Sequence, residues 1–324
     1  MDFSNSKVLV TGGAGFIGAN LASRLLKEGV KVTIFDDFSV GSKWNLKEIA
    51  NTVTIVRGDV REFATIKKVI SGQDFVFHMA ANASVPISSE NPKYDFEVNV
   101  TGTLNVLEAL RELDSSIPLV FASSAAVYGS HKSAPPSEEC LPKPLSPYGA
   151  SKLAAEVMCQ AFYRTYGLPT ICLRFCNVYG PLQRKYVMFD ILEKLRRSED
   201  KLQILGTGAQ VRDFIYISDA IDACLMLAKT PSAFGGVYNV GTGVGTTIKE
   251  LVCIILDLLG LQNKTKVLYT NESWIGDVDS LLADVTRIKE LGFLPKVDLR
   301  SGLVRFIDWY KNSYLHEQRD AQCE

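Results

Sequence analysis

Residues 7–18 read KVLVTGGAGFIG, and this stretch decides the fold. It begins with a short apolar run and ends in a turn with four glycines, three of which form the pattern Gly12-x-x-Gly15-x-x-Gly18. The segment that follows repeats apolar residues at helical spacing from Ile17 to Leu26 and ends at Gly29. A glycine-rich turn between a buried strand and a helix directs backbone N–H groups and the positive end of the helix toward a phosphate.

Apolar strands and amphipathic helices alternate from this turn to about residue 180. The predicted strands are KVTIFDD (31–37), VTIVRGD (53–59), DFVFHMA (74–80), IPLVFASS (117–124) and PTICLRF (169–175). The predicted helices after the first are FATIKKVISG (63–72), a long helix from Pro92 to Leu113, and 148–167. The strands are nearly continuous apolar runs, which is typical of a parallel sheet covered on both faces. The sequence therefore predicts an α/β fold with a Rossmann-type, doubly wound parallel sheet in residues 1–180.

The pattern changes after residue 180, where the segments become shorter and mixed. Helices are predicted at 188–198, 218–229, 247–260 and about 300–314, and strands at LQIL (202–205), DFIYI (213–217) and GVYNVG (236–241). We interpret residues 181–315 as a smaller mixed α/β C-terminal substrate lobe, and leave open a return of the chain to the large sheet. Residues 316–324 form a polar tail. The lobe is expected to cover the carboxyl edge of the sheet, where open α/β sheets bind ligands.

Composition limits the classes of function. The 324 residues carry a formal net charge of −1, with 47% hydrophobic and 22% charged residues, so we expect no nucleic acid or membrane partner. The first ten residues do not have the pattern of a secretory signal peptide, and the apolar stretch 251–260 is about half the length of a membrane span. Seven scattered cysteines without a CxxC pattern favour free thiols in a reducing cytoplasm, and three separated histidines predict no metal site.

An acidic residue follows the glycine turn at an informative distance. Asp36 lies 18 residues beyond Gly18, at the end of the second predicted strand. A carboxylate there accepts hydrogen bonds from the ribose hydroxyls of a dinucleotide and repels a 2′-phosphate. The pattern therefore favours NAD over NADP. FAD, or a tight turn beside a solvated acidic residue, are the alternatives.

A tyrosine and a lysine lie one helical turn apart in Tyr148-Gly-Ala-Ser-Lys152. Residues at this spacing share a helix face, and an ammonium beside a phenol is expected to lower the pKa of the phenol. Such a tyrosine can act as a general base toward a substrate hydroxyl. The pair Tyr128 and Lys132 has the same spacing, but it lies in a segment without helical periodicity and is discounted.

Two serines, Ser123 and Ser124, end the strand IPLVFASS and therefore face the predicted cleft. A serine hydroxyl at this place can hydrogen-bond the reacting oxygen and pass a proton to the tyrosine. The alternative is an ordinary turn or helix cap.

These motifs together resemble the extended short-chain dehydrogenase/reductases, and within them the NAD-dependent nucleotide-sugar epimerase/dehydratase family, with most similarity to members of the UDP-glucose 4-epimerase type. The resemblance covers nearly the whole chain. It rests on VTGGAGFIG (10–18), GDV (58–60), HMAANASV (78–85), NVTGTLNVLEA (99–109), SSAAVYG (123–129), YGASK (148–152), LRFCNVYGP (173–181), RDFIYISD (212–219), YNVGTG (238–243) and GDVDSLLAD (276–284).

The resemblance implies a role for each matching position. The catalytic set would be Ser124, Tyr148 and Lys152. The NAD-binding residues would be Gly12, Gly15, Phe16, Ile17, Gly18, Asp36, Asp37, Asp59, Val60, Ala80, Ala81, Asn99, Tyr148, Lys152 and Cys176. The nucleotide-sugar substrate, with a UDP-hexose favoured, would contact Ser84, Ser124, Asn177, Val187, Arg212, Trp274 and Leu281. Arg212 would bind the diphosphate, and a surface ion pair is its alternative; Asp213 is interpreted as structural. The resemblance also implies a homodimer formed through the helices near 91–113 and 148–167.

The residues after the catalytic serine bear on the reaction. Dehydratases and decarboxylases similar to this chain carry acidic side chains there, whereas this chain has Ala125 and Ala126, which exchange no proton. The resemblance then implies a C4 epimerase: Tyr148 deprotonates the 4-hydroxyl, hydride passes from C4 to NAD, and the 4-keto sugar rotates and takes the hydride back on its other face. The alternatives are a 4-keto-sugar reductase or dehydrogenase with exchangeable cofactor, and a non-catalytic NAD-sensing module.

Two positions depart from or refine the family pattern. Trp274 precedes the second GDV where similar chains carry an arginine that binds the diphosphate, so the aromatic ring either stacks on the ligand or packs as core. Arg184 and Lys185 offer replacement cations. Leu281 matches the wall beside the C2 substituent of the sugar, and its bulk is expected to disfavour a 2-acetamido group.

Overall fold

A computed structural model describes residue 3 and residues 5–130, 134–272 and 278–318. The strands in chain order are β1 (Lys7–Thr11), β2 (Lys31–Asp36), β3 (Thr54–Arg57), β4 (Phe75–His78), β5 (Leu119–Ser124), β6 (Thr170–Phe175), β7 (Asn177–Tyr179), β8 (Lys201–Ile204), β9 (Val211–Tyr216), β10 (Val237–Val240), β11 (Gly245–Thr247), β12 (Lys266–Tyr269) and β13 (Ser280–Leu281). The helices are α1 (Phe16–Lys27), α2 (Phe63–Ile70), α3 (Val85–Glu90), α4 (Pro92–Phe96), α5 (Gly102–Leu113), α6 (Pro147–Tyr166), α7 (Tyr186–Arg197), α8 (Ile217–Ala228), α9 (Ile248–Leu259), α10 (Thr286–Glu290) and α11 (Leu299–Trp309).

The large sheet contains seven strands in the order β3-β2-β1-β4-β5-β6-β10, and every neighbouring pair is parallel. The strand order reverses direction between β1 and β4, the switch point at which such sheets bind dinucleotides. The predicted Rossmann-type α/β fold is therefore confirmed.

Helices cover both faces of this sheet because successive strand residues point to opposite sides. Val8 and Val10 belong to the core that includes α1 and α8, whereas Leu9 between them belongs to the core that includes α2, α5 and α6. All three side chains are fully buried. This explains why the strands read as continuous apolar runs.

The long helix predicted from Pro92 to Leu113 is present, but it is interrupted. A π-helical turn, Glu97–Thr101, joins α4 to α5. A second π turn, Tyr310–Tyr314, continues α11. One extra residue in a single turn changes the spacing of the apolar residues only locally, so the sequence pattern does not reveal these π turns.

Local sequence fixes the start and the end of α6, the helix that carries the tyrosine–lysine pair. The Ser146 hydroxyl accepts a hydrogen bond from the backbone N–H of Gly149 at 3.1 Å, and Pro147 occupies the first turn. Gly167 ends the helix with a left-handed φ of 71°. These caps place Tyr148 in the first turn, at the carboxyl edge of the sheet.

The C-terminal part of the chain contributes strands to three sheets. A small sheet forms around β9, which pairs with β7, β11 and β13, and β12 pairs with β8. β10 instead pairs in parallel with β6, so the chain re-enters the large sheet after residue 180. In the described part of the chain, no helix is both long enough and apolar enough to cross a membrane.

Candidate active site

A cleft of about 610 Å³ lies at the carboxyl edge of the large sheet, facing the small sheet around β9. It brings together residues that are far apart in the sequence. The predicted site residues that line it are Gly12, Gly15, Phe16, Ile17, Gly18, Asp36, Asp37, Asp59, Val60, Ala80, Ala81, Ser84, Ser124, Tyr148, Lys152, Cys176, Asn177, Val187, Arg212 and Leu281. Asn99 does not line it, and Trp274 lies outside the described residues.

The glycine turn after β1 brings two pieces of backbone into close contact. Gly12 has a φ of 65°, and a Cβ built on it would lie 2.6 Å from the backbone nitrogen of Ala80. A side chain at Gly12 would therefore both strain the backbone and collide with the backbone of the loop after β4. This open cradle of backbone N–H groups fits the pyrophosphate of a dinucleotide.

Two carboxylates lie at the end of β2, beside the glycine turn. Asp36 accepts hydrogen bonds from the backbone N–H groups of Ala14 at 2.9 Å and Phe38 at 2.8 Å. Burial raises the pKa of the Asp36 carboxyl above its usual value. Asp37 accepts the backbone N–H of Ser39 at 2.8 Å. Since each oxygen has two lone pairs, Asp36 can still accept a ribose hydroxyl, and both acids disfavour a 2′-phosphate. The residues therefore fit NAD.

Lys152 is buried on the cleft side of α6. Its Nζ donates a hydrogen bond to the backbone oxygen of Ala122 at 2.8 Å and lies 5.0 Å from the centre of the Phe121 ring. Burial lowers the pKa of the Lys152 ammonium to about 8, and the nearby Asp95 carboxylate opposes this shift. The group remains cationic around neutral pH.

The pKa of the Tyr148 phenol differs from the one predicted from the sequence. Burial raises the pKa of its phenol well above the usual range, and the hydrogen bond with Ser124 offsets only part of this. The expected lowering by the Lys152 ammonium is therefore wrong for the chain by itself. The physical reason is that burial removes the water that would stabilise a phenolate, while the ammonium is bonded to the Ala122 carbonyl.

The two serines at the end of β5 have different surroundings. Ser123 Oγ donates to Glu156 Oε2 at 2.7 Å, and Glu156 forms a buried ion pair of 2.5 Å with Arg174. Ser124 hydrogen-bonds Tyr148 and also accepts the backbone N–H of Ala126 at 3.2 Å. Ser124 is thus both the cap of a short turn and the serine that contacts the tyrosine.

The competing tyrosine lies away from the cleft. Tyr128 is buried, and its hydroxyl donates to Asn239 Oδ1 at 2.8 Å and accepts from Arg174 Nη1 at 2.7 Å. Lys132 lies outside the described residues. Tyr128 therefore forms part of the buried Arg174 network.

The small-sheet side of the cleft carries the predicted substrate residues. Asn177 begins β7 and Leu281 ends β13, and both flank β9, which carries Arg212. Arg212 is largely buried, and its Nη1 donates to the backbone oxygen of Val211 at 2.8 Å. Three buried polar atoms on this side have no hydrogen-bond partner among the described residues: Asn177 Oδ1, Gln183 Oε1 and Arg184 Nε.

Arg184 is already engaged in an ion pair. Its Nη1 and Nη2 contact the two carboxylate oxygens of Glu317 at 2.6 and 2.7 Å, in a bidentate pair. This argues against its use as a replacement diphosphate cation, and Lys185 remains on the cleft lining. Tyr186, which the sequence did not single out, donates its hydroxyl to the Ala83 carbonyl at 2.7 Å and so joins the two sides of the cleft.

Asn99 lies behind the cleft wall. Its Oδ1 accepts the backbone N–H of Asn82 at 2.9 Å, and its Nδ2 donates to Ser151 Oγ at 2.9 Å. Asn99 therefore contacts a residue that lines the cleft, Asn82, but does not line the cleft itself. Among the described residues, no group of three or more His, Cys, Asp or Glu side chains could hold a metal ion.

Comparison with known proteins gives consistent matches along the chain. Residues 8–241 match the model of a family described as the NAD dependent epimerase/dehydratase family. The chain is 35% identical to a putative UDP-glucose 4-epimerase of Methanocaldococcus jannaschii, over 94% of this chain and 99% of that protein.

Two solved structures show the same similarity in three dimensions. A UDP-glucose 4-epimerase from Thermotoga maritima, solved with UDP-glucose, gives a TM-score of 0.88 at 31% identity, over 95% of this chain and 99% of that chain. A dTDP-glucose 4,6-dehydratase from Streptomyces venezuelae, solved with NAD bound, also gives 0.88 at 30% identity, over 95% and 97%.

Proposed function

Because the chain belongs to the NAD-dependent epimerase/dehydratase family, we propose that it is a nucleotide-sugar C4 epimerase with Ser124, Tyr148 and Lys152 as its catalytic residues. The observation that carries the proposal is the pair of alanines that follows Ser124. Ala126 lines the cleft beside Ser124 and Tyr148 with a methyl group, and Ala125 is buried. Elimination of water needs an additional acid–base group, which neither alanine can supply. Epimerisation needs only the tyrosine.

The residues of the chain itself would carry out the proton transfer of this reaction. Tyr148 would take the proton of the sugar 4-hydroxyl, and Ser124 would hold that oxygen within hydrogen-bond reach. Tyr148 would act in this step as a phenolate, and the Lys152 ammonium would stabilise that phenolate before the transfer, against the burial that raises the pKa of the phenol. On taking the proton, Tyr148 would become the neutral phenol. NAD, when bound, would accept the hydride and return it. The proton would then go back from Tyr148 to the 4-oxygen.

The small-sheet side would hold the nucleotide while the sugar turns over. Arg212 offers a cation for the diphosphate, and Asn177 Oδ1 offers an acceptor that has no partner among the described residues. We propose a UDP-hexose as the substrate, in keeping with the ligand of the Thermotoga maritima structure. The 4-keto sugar would rotate between Tyr148 and this side of the cleft.

The deciding experiment is NMR of a nucleotide-sugar panel incubated with the protein and no added cofactor. Interconversion of UDP-glucose and UDP-galactose supports the epimerase. A 4-keto-6-deoxy product would identify a dehydratase, to whose fold this chain is equally similar. A strict need for added NAD(P)H would identify the reductase, and unchanged sugars with NAD bound would identify a non-catalytic module.

We also propose that the protein is a cytoplasmic homodimer. The helices α4 to α6 expose large apolar side chains, with Phe96 54% and Val157 51% accessible. Buried free thiols such as Cys172 suit a reducing compartment. Light scattering is expected to give twice the mass of the chain, and Val157→Glu is expected to give the monomer.

A further inference from the structure

A fully buried carboxylate, Asp95, lies behind the cleft and has no part in the chemistry proposed above. Three hydrogen-bond donors point at it: Asn82 Nδ2 at 2.7 Å, Asn99 Nδ2 at 3.1 Å and Ser151 Oγ at 2.6 Å. An ionised carboxylate only accepts hydrogen bonds, so this arrangement of donors suits the anion.

On one side, this cluster around Asp95 contacts the turn of α6 that carries Tyr148 and Lys152. Ser151 lies between Tyr148 and Lys152, and its hydroxyl is also 3.0 Å from the backbone oxygen of Tyr148. Because both catalytic side chains leave the same turn, the bond from Ser151 to Asp95 fixes the rotation of that turn about the helix axis.

On its other side, the cluster contacts the loop after β4, which lines the cleft. Asn82 directly follows Ala80 and Ala81, which line the cleft beside the glycine turn. Asn99 Oδ1 accepts the backbone N–H of Asn82 at 2.9 Å, and Asn99 Nδ2, whose two hydrogens are shared among three acceptors, lies 3.1 Å from the backbone oxygen of Asn82. The loop after β4 is therefore hydrogen-bonded to this cluster through both the backbone and the side chain of Asn82.

Charge adds a second effect. The Asp95 carboxylate raises the pKa of Lys152, against the burial that lowers it to about 8. The other titratable groups that interact with Lys152 are Cys159 on α6 and His78 on β4, and burial lowers the pKa of His78 to about 3, so His78 is neutral. Burial raises the pKa of the Asp95 carboxyl itself, and the hydrogen bonds from Ser151 and Asn82 oppose this rise, so these donors favour the anion whose charge acts on Lys152.

We propose that Asp95 is a positioning residue of the active site, which holds the Tyr148–Lys152 turn of α6 against the loop after β4 and places its carboxylate near the buried Lys152 ammonium. Its link to catalysis rests on the proposed function, in which Tyr148 and Lys152 are the acid–base pair. Its effect on the protonation of Lys152 is independent of any reaction.

The first test measures that protonation directly. In protein labelled with ¹⁵N-lysine, the Nζ resonance of Lys152 is assigned by its loss in Lys152→Met and titrated without cofactor or sugar. Asp95→Asn keeps the shape of the side chain and removes its charge, so the pKa of Lys152 is expected to fall by about one unit or more. An unchanged pKa overturns the proposal.

The second test separates charge from geometry in the epimerase assay. In Asp95→Asn the alkaline limb of the pH profile of kcat is expected to move to lower pH, with kcat reduced about tenfold or more. Asp95→Glu keeps the charge and is expected to keep the wild-type profile. Ser151→Ala breaks the bond to α6 and is expected to lower kcat with the pKa of Lys152 unchanged. Wild-type kcat in Ser151→Ala overturns the positioning role.

Asp219→Asn is the matched control. Asp219 is also a buried carboxylate, but it accepts the backbone N–H groups of Lys296 and Val297, at 2.9 Å each, outside the cleft lining. This variant is expected to lose stability without a shift of the pH profile, and an equal shift would overturn the proposal. If the wild-type chain converts no sugar, the proposed function fails, while the titration of Lys152 still decides the effect of Asp95.

Discussion

The two walls of the cleft differ in how far their buried polar groups find hydrogen-bond partners within the protein. On the glycine-turn wall, formed by residues 12–18, 36–37 and 80–81, the Asp36 carboxylate is bonded to two backbone N–H groups of the protein itself. On the small-sheet wall, formed by residues 177–187, 212 and 281, Asn177, Gln183 and Arg184 each keep a buried polar atom without a partner among the described residues. On the glycine-turn side, Asn45 Oδ1 also has no partner among the described residues, while its Nδ2 donates to the Ala14 carbonyl at 2.9 Å. Since such an atom costs free energy, we expect a ligand to complete more of the small-sheet wall than of the glycine-turn wall.

Tyr148→Phe has the largest expected effect, and it changes a residue of the cleft that belongs to neither wall. Removal of the hydroxyl is expected to lower kcat by about 1,000-fold or more, because the proposed acid–base group is lost. NAD binding, followed by isothermal titration calorimetry, is expected to remain, because the glycine-turn wall is untouched. Activity within tenfold of wild type would disprove the mechanism.

Gly12→Ala tests whether the glycine-turn wall depends on close backbone approach. The new Cβ would lie 2.6 Å from the Ala80 nitrogen, so we expect a loss of about 3 kcal/mol of stability and at least tenfold weaker NAD binding. Gly72→Ala is the matched control, since Gly72 has a φ of 76° with no atom within 4 Å of a Cβ. It is expected to cost about 1 kcal/mol, from backbone strain alone. Equal melting temperatures for the two variants would contradict the close-approach argument.

Asp36→Ala and Asn177→Ala compare the two walls directly. Loss of Asp36 leaves two backbone N–H groups unpaired and is expected to cost about 1–3 kcal/mol in urea unfolding. Loss of Asn177 removes an atom without a partner, so stability is expected to change by less than about 0.5 kcal/mol, while KM for the sugar nucleotide rises about tenfold. The contrast between the walls fails if the order of the two stability losses is reversed.

Leu281→Ala has the smallest expected effect. The side chain lines the cleft from β13, and its removal is expected to raise kcat/KM for a UDP-N-acetylhexosamine relative to UDP-glucose by about tenfold. Competition assays with both sugars measure this ratio. Equal wild-type rates on the two sugars would remove the hypothesis that Leu281 selects against a 2-acetamido group.

The same contrast explains what could be predicted from the sequence. The glycine turn, Asp36 and the Tyr148–Lys152 pair lie within local spacings fixed by one turn or one strand and helix, so their geometry follows from the order of residues. The pairing of Arg184 with Glu317 joins residues 133 positions apart, and no local pattern predicts it. The fold class is predictable because apolar strands and amphipathic helices alternate regularly up to about residue 180.

Other features depended on surroundings that only the assembled fold provides. The pKa of Tyr148 follows from its burial, which spacing along α6 does not reveal. Asp95 went unnoticed because an acid in the first turn of a helix is ordinary, and its three donors come from separate segments. The position of β10 beside β6 likewise depends on a contact between distant segments.

The π turn Glu97–Thr101 makes the number of residues in this helix matter as much as their identity. Asp95 precedes the turn, and Thr103 follows it, with Oγ1 3.0 Å from His78 Nε2 beneath the sheet edge. A π turn holds one residue more than an α turn, so Asp95 and Thr103 lie near the same face of the helix although they are eight positions apart. A regular α-helix with the same number of residues would rotate Thr103 by about 100° relative to Asp95, and the two side chains could no longer both face their partners. Inserting or deleting a residue between Asp95 and Thr103 while the π turn persists is therefore expected to be more damaging than a conservative substitution of an exposed residue there.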